Sequence, residues 1–487
     1  MNISKLSFGA PAAERDIEKG LIEYFVESDA YRRIFNREKF ILLGNRGSGK
    51  SAIFKILAEK EKNAGTLVIE LSPEDYSYEM FSGIMAKEHQ GFWAKQGAYA
   101  AAWKYLIYIS VMRRVSGRGG LKSGAAAKVY NFLRDNFKGH QDNPLDILLS
   151  YLKRFEGVKV GPYEVGAKTR ELQKLYKLEE IQSLIPDIIT LCKRQNVVLL
   201  VDELDRGWDA SEDAKAFVAG LFQAAIKINE HAPSLRVLVS LRKELYDNIP
   251  ALYEDAQKYR DIIEEIQWDE PMLMQMVTNR IRYSLPELKE KSIEECWNSV
   301  YAETLDYRQT KSFNYMVDRT LYRPREIIQF CTETSLKARE VNSWPIDYDI
   351  ISKTEVKYSE DRAKDIAAEY RFQYPGLLKV FEIFRGLSYN LDRDGLELLC
   401  LGITMEEYNV DEASSWCHNQ SPEFLIEVLW RIGFLRAQAV GGVKGLRRSG
   451  SSYLGPHQIS NLNLHTISRF HVHPMFRSFL AMKESRT

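Results

Sequence analysis

Residues 44–51 read Gly-Asn-Arg-Gly-Ser-Gly-Lys-Ser: a glycine, four intervening residues, then Gly, Lys and Ser. That order suits the cradling of a polyphosphate. Gly44, Gly47 and Gly49 let backbone N–H groups turn inward around phosphate oxygens, and a helix that follows adds partial positive charge at its N-terminus. Asn45, Arg46 and Ser48 complete the loop. Lys50 is spaced to reach the β- and γ-phosphates and the Ser51 hydroxyl to sit on Mg²⁺, with Ala52 continuing into the helix.

A second set of groups follows the apolar run Val197-Val198-Leu199-Leu200-Val201, where Asp202 and Glu203 stand. Five apolar residues in a row fit a central parallel strand buried on both faces, and the C-terminal ends of such strands are where open α/β sheets bind ligands. Asp202 is expected to hold the Mg²⁺ shell and Glu203 to polarise the attacking water. Arginines are the candidates for transition-state charge. Ser240 and Arg242 end a fourth strand, where a sensor would meet the γ-phosphate or the water. Arg260 precedes a fifth strand and is a further candidate; an arginine supplied to a nucleotide can be worth roughly 10³–10⁵ in rate. Arg325 opens a helix beyond the sheet, and Arg206 directly follows the acidic segment. The sequence has no Asn-Lys-x-Asp guanine reader. ATP is therefore the expected nucleotide, with Mg²⁺, and the glutamate after Asp202 points to hydrolysis.

These groups need a scaffold that brings them together. Phe40–Leu43 reads as a first strand, Ala52–Leu57 as helix, Thr66–Leu71 as a second strand by its β-branched run, Leu235–Ser240 as the fourth and Ile262–Trp268 as the fifth. Strands alternating with helices predict a parallel α/β sheet. Residues 13–35 carry apolar positions at helical spacing and are expected to pack beside the first strand. A mainly helical insertion is expected at about 76–178, with helices at Ala98–Arg114 and Ala125–Phe137, a Gly-rich basic loop at 113–128 and a hairpin at 158–165. Leu178–Arg194 reads as one helix. From Glu270 to about Tyr370 the pattern is helical, with helices at Met272–Ile281 and Pro324–Arg339, which suggests a lid. From about Pro375 come three short helices, Leu377–Leu387, Asp394–Leu401 and Glu423–Arg431, then strands at 433–439 and 467–473 around a Gly/Ser/Arg-rich tip at 441–455. That is the winged-helix pattern. The expected domains are a P-loop core at 1–275, a helical lid at 276–370 and a winged-helix-like domain at 371–487.

The chain has 487 residues, 45% of them apolar, and 67 basic against 67 acidic side chains. Zero net charge excludes any global electrostatic argument for nucleic acid or a membrane. Cys192, Cys296, Cys331, Cys400 and Cys417 lack paired spacing, which argues against a disulfide framework or zinc ribbon and suits a reducing cytosol. The N-terminus leads into charged sequence, and the most apolar window, Ala98–Met112, is short and contains Lys104. The expectation is a cytoplasmic protein without a membrane span. His457, His465, His471 and His473 have no cysteine or carboxylate at metal-site spacing and read as core or surface residues. Nucleic acid could meet Lys444, Arg447 and Arg448 in the C-terminal tip, or Arg113, Arg114, Arg118 and Lys122 in the 113–128 loop. Glu423 and Glu427 on the third helix suit phosphate poorly, so protein docking is favoured over base readout.

Asp-Glu-Leu-Asp-Arg-Gly-Trp-Asp at 202–209 resembles the Asp-Asp/Glu-Leu-Asp-Arg segment of KAP-type NTPases, within the wider STAND and AAA+-like group. The closer likeness is to bacterial P-loop ATPases labelled FunZ-type. Glu23-Tyr24-Phe25-Val26 with Ala30-Tyr31, Ser240-Leu241-Arg242-Lys243-Glu244-Leu245-Tyr246, and Trp268 ahead of Arg280-Ile281 also carry it, over about residues 15–340. The resemblance implies an ASCE-type ATPase with a helical lid, often in a bacterial signalling or anti-phage role. By the same likeness Arg325 resembles the second sensor and Arg260 an arginine finger. Unlike membrane-associated KAP members, this sequence has no transmembrane pair in the nucleotide domain, and no nuclease or hydrolase motif is appended. The expected function is an ATP-hydrolysing switch acting with a separate protein effector or as a homo-oligomer. The alternatives are an ATP-controlled DNA-binding protein resembling an origin-recognition or loader ATPase, and a nucleotide-binding scaffold with little hydrolysis.

Overall fold

A computed structural model of the chain describes residues 5–72, 92–116, 123–137, 143–156, 174–175, 177–205, 208–253, 259–408, 412–438, 453–459 and 462–484. The chain divides into two compact units, residues 27–267 and residues 1–26 with 268–487.

In the 27–267 unit, β1 (Ile41–Gly44), β2 (Leu67–Leu71), β3 (Val197–Val201), β4 (Leu235–Arg242) and β5 (Ile263–Glu265) form one parallel sheet in the order β2-β3-β4-β1-β5. Alternation sorts the side chains by face. Ile41 and Leu43, Val197, Leu199 and Val201, and Val237, Val239 and Leu241 enter one large core. The opposite face carries Arg236, which donates to Glu61 at 3.1 Å and to the Ile34 carbonyl at 2.6 Å. That buried pair ties β4 to α1 (Asp29–Phe35) and to α2 (Lys50–Asn63), the helix after the glycine loop.

The inserted stretch is helical, as expected, with α3 (Phe92–Val115), α4 (Gly124–Asn136) and α5 (Pro144–Glu156), followed after a break by α6 (Ile185–Arg194). The apolar window from Ala98 to Met112 is a buried helix that packs on α7 (Glu212–His231). Trp103 donates its indole N–H to the Phe217 carbonyl at 3.1 Å, and Tyr99 stands edge-on to the Phe217 ring. Gly220 lets the two helices approach. A Cβ there would lie 2.7 Å from the Tyr99 Cβ and 2.8 Å from the Ala100 nitrogen.

Four expected elements differ from the structure. Residues 13–35 are not one helix. They form Ala13–Asp16, a turn at Ile17–Lys19, Leu21–Tyr24 and α1. Gly20, at φ +106°, breaks the helix in a conformation that favours glycine, and the residues before 27 belong to the other unit. Leu178–Arg194 splits into Glu179–Gln182 and α6, because Pro186 suits only a first helical turn. The fifth strand is three residues, Ile263–Glu265, and the fourth runs on to Arg242. The hairpin expected at 158–165 lies outside the described residues, as do Arg118 and Lys122.

The other unit has two cores. In the first, Leu6, Phe8 and Val26 join Leu273, Val277 and Ile281 of α8 (Glu270–Ser284), Trp297, Tyr301, and Ile327 and Phe330 of α9 (Pro324–Val341). Residues 1–26, expected in the nucleotide core, are held here instead. Buried Asp16 pairs with Arg280 at 2.9 Å and accepts from the Tyr24 hydroxyl at 2.8 Å. α8 starts where expected, with the Asp269 side chain capping Met272 N–H and Pro271 in its first turn. A short ribbon of β6 (Thr304–Leu305) and β7 (Thr310–Lys311) and a long helix, α10 (Tyr348–Glu369), complete this part.

The second core belongs to the winged-helix-like part: α11 (Leu377–Glu382), β8 (Asn390–Asp392), α12 (Arg393–Thr404), α13 (Pro422–Arg431), β9 (Leu435–Gln438), β10 (Tyr453–Leu454) and β11 (Arg469–Val472). Its sheet has four antiparallel strands in the order β10-β9-β11-β8, where two were expected. β8 is short and polar, so it carries no alternation signal. The tip residues Lys444, Arg447 and Arg448 lie outside the described residues. All five cysteines are buried thiols. Among the described residues no helix is long and apolar enough to cross a membrane.

Candidate nucleotide-binding site

The sheet order places the expected groups along one edge. β4 stands between β1 and β3, so the loop strand and the acidic strand are separated by one strand whose own tip is polar. Gly44 is in register with Arg242, and Val201 with Val239, which sets Asp202 level with Ser240. An additional strand between the phosphate loop and the acidic tip is the ASCE arrangement.

The loop between β1 and α2 is shaped by its glycines. Gly47 at φ +77° and Gly49 at φ +101° adopt left-handed backbone that other residues take only at a cost. Gly44 is needed for space, since a Cβ there would meet the Ser48 hydroxyl at 2.4 Å. The Ser48 N–H donates to the Asn45 carbonyl at 3.2 Å, and α2 begins at Lys50 with Gly49 as its N-cap. Lys50 folds back over the loop, donating from Nζ to the Gly44 carbonyl at 2.8 Å and the Asn45 carbonyl at 3.1 Å. Asn45, Arg46, Ser51 and Ala52 are half-buried around it.

Charge converges on that lysine. Burial pushes the Lys50 ammonium below the usual lysine range. The carboxylates of Glu244, Asp202 and Asp205 pull the other way, and Arg242 adds to the depression. Arg242 is itself tied, forming an ion pair with Asp205 and standing 3.8 Å from Glu244. Buried Ser240 has no hydrogen-bond partner for its Oγ among the described residues. Asp202 accepts from the Glu203 N–H at 2.8 Å, and Glu203 sits at φ +61°. A non-glycine residue in that region costs about 1–2 kcal/mol, and such strain clusters where a side chain is aimed for function.

The donor set fits a magnesium triphosphate. The loop offers turned-in glycines, a lysine and a hydroxyl at a helix N-terminus, and the facing strand tips offer carboxylates and an unsatisfied serine. The structure thus brings together residues 44–52, Asp202, Glu203, Ser240 and Arg242. Arg260 is exposed before β5, its carbonyl accepting from Lys39, and makes no ion pair among the described residues. Arg325 belongs to the other unit, where its Nε donates to the Pro11 carbonyl at 3.2 Å. Arg206 lies outside the described residues. The sequence reading missed Asp205 and Glu244 as the groups that hold Arg242. The available signal was an acidic residue in the first turn of the helix Lys243–Asp247, directly after a strand-end arginine. The histidines lie in the winged-helix-like part. His473 Nε2 is 2.8 Å from Arg436, His457 stacks on Tyr322, and His471 stacks on Tyr453.

Fold and site define a parallel α/β P-loop protein with a helical region and a winged-helix-like domain. Residues 271–367 match the family model of the FunZ-associated C-terminal helical domain. The chain is 25% identical over 408 residues to the "Putative transposon gamma-delta 80.3 kDa protein" of Escherichia coli (strain K12). That alignment covers 80% of this chain and 56% of the relative, so the chain spans about half the length of the curated relative it matches. It is also similar to two solved structures at 10% identity. The Aeropyrum pernix ORC2 protein in ADPNP–ADP complexes aligns with a TM-score of 0.37, covering 96% of this chain and 92% of that one. Drosophila ORC bound to DNA aligns with a TM-score of 0.30, covering 95% and 90%.

Proposed function

We propose that the chain is a Mg²⁺-dependent ATPase of the KAP/STAND-like group that works as a switch. One observation carries this reading: Lys50, folded onto its own loop carbonyls, faces the acidic tip of β3 across β4. In this reading Lys50 Nζ binds the terminal phosphates, and the Ser51 hydroxyl with Asp202 holds the metal shell. A magnesium ion held there would supply positive charge against the phosphates. Glu203 accepts a proton from the attacking water, Ser240 Oγ orients that water, and Arg242, steadied by Asp205 and Glu244, meets the charge that builds on phosphate. Arg325 would serve as a lid sensor, and Arg260 as a finger if copies of the chain assemble. Replacing Lys50 by Ala should abolish ATP binding in calorimetry. Normal affinity in that variant would contradict the reading.

The role in bacterial signalling or anti-phage defence, with a separate protein effector, rests on the KAP and FunZ-type resemblance. Phage plating on cells carrying the wild-type locus or Lys50→Ala tests it, and equal plating on both would count against it. A second reading, ATP-controlled DNA binding, is supported by the winged-helix-like fold and by a relative named for a transposon. On α13, exposed Arg431 is paired with Glu427, which leaves little free positive charge there. A salt-dependent DNA affinity that falls when Arg447 and Arg448 are replaced by Ala would favour that reading.

A further inference from the structure

A cavity of about 230 Å³ opens in the second unit, between the segment around 307–322 and the chain at 474–477. Its wall holds an excess of positive charge. Arg319 lies over the Tyr315 ring and pairs with Glu355 at 2.7 Å. Asp318 is taken by Arg436 at 2.5 Å, and Arg308 at the rim is paired with Glu484. Arg477 differs. Its Nε donates to the Val472 carbonyl at 2.8 Å and its guanidinium lies over Tyr389. Among the described residues no carboxylate stands within salt-bridge distance of it, and its Nη groups make no protein hydrogen bond. Arg319, Arg436 and Arg477 thus stand near the carboxylates of Asp318 and Glu355, with Glu270 also on the cavity wall. Burial and the neighbouring Arg436 push Arg477 down to about 10. Arg477 is half-buried on the cavity wall, with Asp318 offsetting part of that depression, and an anion in the cavity would add to that offset. Glu270 is held above the usual carboxylate range by burial and by Asp318 and Asp269.

We propose that this cavity is a second ligand site, separate from the phosphate loop, which takes the oxyanion of a small organic phosphate or carboxylate on Arg477. The volume exceeds what a bare phosphate fills, yet falls below the roughly 300–1,000 Å³ of pockets for larger ligands. The body of the ligand is therefore of one-ring size, set against the tyrosines at 307, 315 and 322. Its occupant would touch both the region matched by the helical-domain family and the last strand-to-helix turn of the winged-helix-like part, and so would stabilise their junction.

The test uses the full chain carrying Lys50→Ala, so that the phosphate loop does not compete. Phenyl phosphate, phenylacetate, inorganic phosphate and neutral benzyl alcohol are titrated by calorimetry and thermal shift. Saturable binding of phenyl phosphate or phenylacetate, weakened roughly tenfold or more by Arg477→Gln, is the expected result, and the better of the two probes identifies the oxyanion. Thr310→Phe, which fills the cavity and leaves the arginines in place, should also abolish binding, and it decides the matter if Arg477→Gln does not fold. Three results would overturn the site: no saturable binding of either anion up to about 10 mM, equal binding in the variants, or benzyl alcohol binding as well as the anions.

Discussion

Lys50 holds its ammonium on two backbone carbonyls, below the usual lysine range because burial outweighs the nearby carboxylates. The sign of the consequence follows. The unfolded chain holds that proton more tightly, so without nucleotide the stability of the protein rises as pH climbs from the depressed value towards the ordinary one. A bound triphosphate restores the charge. ATP binding should therefore take up protons at any pH where the free protein has begun to lose that proton, seen as different apparent heats in buffers of different protonation enthalpy across an alkaline pH series, and equal heats throughout would contradict it. At Glu203 two properties separate. Glu203→Gln should keep ATP affinity and lose about 10²–10⁴ in turnover, with unchanged turnover removing Glu203 from its role. Glu203→Asn should lose turnover too, yet gain about 0.5–1 kcal/mol in urea unfolding, because asparagine tolerates left-handed backbone better. A less stable Asn variant would mean that φ +61° is not a strained point.

At the scale of elements, the sheet is fastened to two helices by a buried charged pair. Arg236 joins β4 to α1 and α2 through Glu61 and the Ile34 carbonyl, with both charged groups buried. Removing one charge strands the other, so Arg236→Met should cost about 3–5 kcal/mol. Adding Glu61→Leu should recover most of that loss in denaturant titration, and a double variant no better than the single would refute the pairing argument. The contact of α3 with α7 has a different basis, backbone approach at Gly220. Gly220→Ala pushes a methyl group into Tyr99 and Ala100 and should cost about 1–3 kcal/mol by overpacking. A neutral or stabilising effect would show that the helices can part without loss.

For the whole molecule, the candidate site residues are distributed over the two compact units. The loop, Asp202, Glu203, Ser240 and Arg242 all lie within 27–267, whereas Arg325 lies in the unit of 1–26 with 268–487. A fragment of 27–267 is therefore expected to bind ATP within about tenfold of the full chain and to hydrolyse it more slowly. Binding by equilibrium dialysis and phosphate release would measure both. A folded fragment that fails to bind would move part of the nucleotide site outside this unit.

The glycine loop, Lys50, the acidic strand tip and all five strands of the sheet were legible in the chain itself. Each is a local signal: a spacing, an apolar run of strand length, or glycines where backbone must turn. The helical region after Glu270 and the three helices near the C-terminus were legible for the same reason, through caps, prolines and apolar periodicity. What the tertiary structure decided was non-local. Strand order put β4 between the loop and Asp202. Asp205 and Glu244 captured Arg242, and Asp16 bound the first residues of the chain to Arg280 in the second unit. Hydrophobic pattern specifies which face of an element is buried, but it does not say which distant element covers that face, and a charged residue chooses its counterion only once folding has brought the two together.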